Sequence, residues 1–119
     1  MSRNETAGEG IAEFVKRLKP EAREAFLSLR ALTLSLGPDV TETVVPGGVS
    51  YARRGREFVR VEAERTRLTA TFPPEARLDD PGGRLLRRGD ARWVRVDARE
   101  GRVDAHVQDF VRRAHAALR

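Results

Sequence analysis

The sequence predicts an α+β domain: helices at the N-terminus, an antiparallel meander of about four to five strands, and a closing C-terminal helix. Three observations lead there. Apolar residues recur at helical spacing before residue 37 and again after residue 102. Between Val40 and Phe72 the period shortens to two. Glycine and proline cluster at the points where one pattern gives way to the next.

Residues 1–8 read as a frayed tail and residues 9–119 as one domain. Ile11, Phe14, Val15 and Leu18 mark one face of a first helix. Lys19-Pro20-Glu21 then begins a second, because proline fits the first turn and an acid there favours the helix dipole. Ala22, Phe26, Leu29, Leu32 and Leu36 continue it up to a stop at Gly37-Pro38. A kink is therefore expected near Lys19.

Val40–Val45 is β-branched and reads as a strand, closed by a turn at Pro46-Gly47-Gly48. Val49–Ala52 is a second, short strand, and Arg53-Arg54-Gly55-Arg56 is a basic turn. In the third strand Val59, Val61 and Ala63 share one face, and Phe58, Arg60 and Glu62 the other. After a connection at Glu64-Arg65, a fourth strand places Leu68, Ala70 and Phe72 inward. Pro74–Gly89 is loop, from which Leu85 and Leu86 pack back. Arg92–Asp97 is the last strand, Ala98–Gly101 a turn, and Val103–Ala117 the closing helix, with Val103, Val107, Phe110, Val111, Ala114 and Leu118 on one face.

Composition narrows the chemistry. The chain has no cysteine, so disulfides, thiolate nucleophiles and thiolate metal sites are excluded. The N-terminal residues are polar and lack the apolar stretch of a secretory signal, and no apolar run has the length of a membrane span. The expected location is the cytoplasm, away from membranes. His106 and His115 stand nine positions apart on one helix, on opposite flanks of its apolar stripe, so they cannot share a metal there. No metal and no cofactor is expected. The serines form no nucleophile elbow, and no phosphate-binding glycine loop follows a strand. Asp79-Asp80 precedes Pro81-Gly82-Gly83 and reads as a turn whose carboxylates bond their own backbone. No constellation favours an enzyme.

Charge carries the functional expectation. The net charge is +5; residues 1–46 hold six bases and seven acids, whereas residues 47–119 hold seventeen and eleven. All but two of the 23 bases are arginine, which a GC-rich coding sequence would also write. Arginine forks suit phosphate and carboxylate. One cluster is Arg53, Arg54 and Arg56, flanked by Tyr51 and Phe58. A second is Arg84, Arg87 and Arg88, followed by Arg92 and Trp93. The candidate binding residues are Tyr51, Arg53, Arg54, Arg56, Arg87, Arg88 and Trp93. Arginines beside aromatic rings could serve single-stranded nucleic acid, an anionic small molecule or an acidic protein partner. The opposing reading keeps the aromatic rings in the core and the arginines in solvated turns. A small-molecule carrier or sensor would show a cavity with converging arginines. A protein-interaction or homodimer module would show an exposed apolar patch.

The run Lys19-Pro20-Glu21-Ala22-Arg23, Leu29-Arg30, Leu36-Gly37-Pro38-Asp39-Val40, Tyr51-Ala52-Arg53-Arg54-Gly55 and Phe58 resembles an uncharacterised family of small α+β domains. Its members are in places labelled predicted transport proteins, and some lie C-terminal to nuclease-like domains. The layout is also similar to YdhG-like domains. Leu68, Asp79-Asp80-Pro81 and the segment around Val107, Phe110 and Val111 extend the resemblance. The longer Gly-rich Trp segment of that family is reduced here to Gly89-Asp90 and Trp93. The resemblance implies the fold and, through the nuclease association, an accessory role on nucleic acid; it transfers no catalytic residue.

Overall fold

The computed structural model describes residues 3–64 and 67–118, with side chains from residue 10 onward. Two helices come first, α1 (Arg3–Arg17) and α2 (Pro20–Leu34). Helix α1 thus takes in most of the segment read as a tail, while Met1 and Ser2 lie outside the described residues. The expected break falls at Lys19, which is extended (φ −68°, ψ 156°) because the Pro20 ring excludes the helical region for its predecessor. Ile11, Phe14 and Leu18 of α1 are buried, and Phe14 meets Phe26 of α2 edge-on at 4.9 Å. Helix α2 buries Ala22, Ala25, Phe26, Leu29 and Thr33.

The meander follows as β1 (Val40–Val45), β2 (Gly48–Arg53), β3 (Arg56–Glu64) and β4 (Arg67–Phe72). After a 3-10 turn at Pro74–Ala76 come β5 (Leu86–Arg88) and β6 (Ala91–Val96), then a two-strand ribbon, β7 (Ala98–Arg99) and β8 (Arg102–Val103). Helix α3 (Ala105–Ala117) closes the chain. The main sheet is antiparallel throughout, in the order β1-β2-β3-β4-β6-β5. It therefore has six strands rather than four or five, plus the ribbon. The additions escape a periodicity reading because β5 has three residues and β7 and β8 two each.

The helices pack on the face that carries Val49, Tyr51, Val59, Val61, Leu68 and Ala70. The opposite face carries Ser50, Arg60, Thr71, Trp93 and Leu86, which lie side by side across five strands. Phe58 was expected on that polar face with Arg60 and Glu62. It is instead fully buried, like Val59 beside it. The register between β2 and β3 shifts between Tyr51 and Ala52, and this bulge turns both residues inward. Phe58 then meets the ring of His115 on α3 edge-on at 5.3 Å.

Two tight turns have successive positive φ angles: Arg54 and Gly55 (53° and 80°), and Glu100 and Gly101 (52° and 76°). This is the hairpin geometry whose twist matches the strands it joins. The second pair closes the β7–β8 ribbon where a simple turn was expected. Helix α3 consequently starts at Ala105 rather than Val103, with the Asp104 carboxylate accepting from the His106 amide at 2.8 Å. Among the described residues no helix is long and apolar enough to cross a membrane.

Candidate anion-binding site

The seven side chains singled out by sequence take different positions. Tyr51 is fully buried under α2, where its hydroxyl donates to Glu42 at 2.7 Å. Glu42 also accepts both prongs of Arg30, at 2.8 and 3.0 Å. Burial pushes the Tyr51 phenol above its usual range, and Glu42 beside it adds to the shift. The Glu42 hydrogen bond raises the Arg30 guanidinium further. Tyr51 is thus a core residue with a satisfied hydroxyl, and its ring has no face open to solvent.

Arg53 is half-buried and structural. Its Nε donates to Asp39 at 2.9 Å, and Nη1 donates to the His115 carbonyl in the last turn of α3 at 2.9 Å. A guanidinium at that end satisfies a free carbonyl and complements the helix dipole. The hydrogen bond from Arg53 Nε holds the Asp39 carboxyl below the usual aspartate range, with the imidazole of His115, 3.5 Å away, contributing less. A carboxyl depressed in the folded state stabilises the fold above its unfolded value, and that contribution disappears as pH falls through the folded value. Melting temperature is therefore expected to fall between about pH 5 and pH 2 with a steeper slope in the wild type than in Asp39→Asn. Parallel slopes in a thermal-melt series would remove Asp39 from the acid response.

Arg54, Arg56 and Arg87 are exposed. Arg88 lies 5.4 Å over the Trp93 ring and pairs with Glu64 at 3.3 Å. Antiparallel pairing puts the β2–β3 turn and the β5–β6 turn at one end of the sheet, with β4 between β3 and β6. The structure thus puts Arg88 over Trp93, turns Arg87 to the opposite face of β5 beside Arg92, places Arg54 and Arg56 at the same end of the sheet, and withdraws Tyr51 and Arg53 into the fold.

The other end of β6 holds a different assembly. Strand β5 begins opposite Trp93, so among the described residues the side of β6 away from β4 has no strand beside it from Val94 onward. The β7–β8 ribbon and the start of α3 fold around that edge and leave a cavity of about 650 Å³. Arg84 reaches it from the loop before β5, Arg95 from β6, and Arg99 and Arg102 from the ribbon. Val94, Ala98, Val103 and Val107 supply apolar wall, and His106, Asp97 and Asp104 complete the lining. Among the described residues, none of the four arginines makes an ion pair. Asp104 is occupied in capping α3.

Loop geometry holds Arg84 in place. Asp80 accepts from the Arg84 amide at 2.9 Å and the Leu85 amide at 2.8 Å, and these bonds lower its pKa. The expected turn at Asp79-Asp80 is thus present, and it positions one wall of the cavity.

Comparison with models of known protein families, with curated proteins and with solved structures finds no match. The chemistry of the site rests on its own residues. Four arginines against two aspartates in the lining give the cavity a net basic character beside an apolar wall. Among the described residues, no group of three histidine, aspartate or glutamate side chains is placed to hold a metal ion. Arg84 belongs to a cluster visible in the sequence, whereas Arg95, Arg99 and Arg102 do not. They are spread over eight positions, and only the ribbon turn at Glu100-Gly101 folds them together.

Proposed function

We propose that the chain is a non-enzymatic module that binds an anionic ligand in the cavity between β6, the β7–β8 ribbon and α3. One observation carries this reading: Arg84, Arg95, Arg99 and Arg102, from three separate elements, converge on a single concavity with no carboxylate partner among the described residues. By contrast, Arg30 and Arg53 are neutralised within the fold by Glu42 and Asp39. Unpaired guanidiniums held close together repel one another, and an anion relieves that repulsion.

The test is calorimetric titration of pyrophosphate at low salt into the wild type and Arg99→Ala/Arg102→Ala. The double variant is expected to bind at least ten-fold more weakly with an unchanged circular dichroism spectrum. Both side chains are exposed, so their removal leaves the core intact. Equal binding by the two proteins, or none by the wild type, would refute the proposal.

A second reading has its own observation. Arg54, Arg56, Arg87 and Arg88 stand at one end of the sheet, Arg88 over Trp93, and would form a nucleic-acid contact there. An accessory role of that kind accords with the resemblance to the small α+β family described above. Its signature is affinity for single strands that falls linearly in log salt and is lost on changing Arg54 and Arg56 to alanine.

A further inference from the structure

Resting on the anion-binding reading, we infer that the ligand is a small organic phosphate, with a phosphoryl head and an apolar body, rather than a polymer or a bare inorganic anion. Three observations converge on this class. The first is size. A cavity of about 650 Å³ lies within the range of about 300–1,000 Å³ typical of organic ligand sites and far exceeds what one inorganic anion needs. The second is the division of the lining. Val94 and Ala98 are half-buried, so their methyl groups remain in reach of a ligand, and Val103 and Val107 back them. An inorganic anion would leave this wall bare, whereas a ligand with a ring or short alkyl body would cover it and gain from its burial.

The third observation is the direction of the arginines. Arg84, Arg95 and the Arg99/Arg102 pair approach from a loop, a strand and a ribbon. A planar carboxylate offers two oxygens in one plane and suits a single fork. A phosphoryl head offers three acceptor oxygens arranged around an axis, which guanidiniums from several directions can share. A polymer fits less well. The sheet face next to the cavity mixes charges, with Arg60 paired to Glu57 and Arg88 to Glu64, so among the described residues that face offers a polymer alternating rather than uniform charge. The site also does not depend on the amides of α3, since Asp104 already occupies the His106 amide.

The probes are inorganic phosphate, phenyl phosphate, adenosine monophosphate, citrate and a single-stranded oligonucleotide, each titrated into the wild type and Ala98→Phe. Phenyl phosphate and adenosine monophosphate are expected to bind at least ten-fold more tightly than inorganic phosphate. Ala98→Phe, which fills the wall, should cost the organic phosphates more than it costs inorganic phosphate. Equal affinity for all three phosphates overturns the organic class while leaving an anion site standing. Tighter binding of citrate overturns the phosphoryl head, and tighter binding of the oligonucleotide overturns the small ligand. Failure of every anion removes the underlying reading as well.

Discussion

Replacing Phe58 with alanine is expected to cost about 3–5 kcal/mol of folding stability. The ring is fully buried, and it is the contact by which β3 holds α3 through His115. Truncation would remove its burial and leave a cavity between sheet and helix that neither can close alone. For a chain of 119 residues the loss corresponds to a fall in Tm of about 10–20 °C. Urea unfolding followed by circular dichroism measures it. A loss under about 1 kcal/mol would mean that the ring is not packed against His115. Leu86, 52% exposed on the edge strand, provides the contrast: its alanine variant should unfold with the wild type.

The second large effect is expected at Glu42. Its side chain joins β1 to α2 through Arg30 and to β2 through the Tyr51 hydroxyl. Glu42→Ala leaves that hydroxyl buried without a partner, a cost of about 1–3 kcal/mol. The Arg30 side chain is 34% exposed, so water takes over much of its lost pairing and adds about 1 kcal/mol or less. Together the loss should be about 2–3 kcal/mol. Tyr51→Phe alone should cost less, because Glu42 keeps Arg30. Adding Tyr51→Phe to Glu42→Ala should recover part of the loss, because the orphaned hydroxyl goes with it. A strictly additive double variant, read from the midpoints of urea curves, would show that the three groups do not act as a unit.

The long elements were legible from sequence because each shows its period over several turns or pairs. Ile11, Phe14 and Leu18 announce α1, and Val59, Val61, Leu68 and Ala70 announce the inner face of β3 and β4. The exceptions have local physical causes. Phe58 breaks the alternation because a bulge spends one extra residue in β3, and such a shift exists only in the pairing of two strands. The β7–β8 ribbon is four residues of ladder around Glu100-Gly101, too short for any period to show. Asp104, placed inside a helix starting at Val103 by the apolar period, is in fact its cap, because Val103 belongs to the ribbon. At the site, the arginines that stand out along the chain are the adjacent ones. Adjacency along the chain favoured Arg53, which the fold consumes by pairing it with Asp39, whereas the unpaired group forms across a turn and a strand edge.

The bond from Arg53 to the His115 carbonyl spans 62 residues, and it bears on how the chain matures. Strands β1 to β4 pair with their sequence neighbours, so the meander can zip up from local contacts as synthesis proceeds. Phe58 and Phe72, however, receive His115 and Phe110 only from the last helix. Until that helix emerges, a nascent chain displays two uncovered aromatic rings on a nearly finished sheet. Truncation before Ala105 should therefore give a species that keeps strand signal yet aggregates, and that is held by chaperones in the cell. Docking of the last helix is thus expected to end the interval in which those two rings are open to other chains.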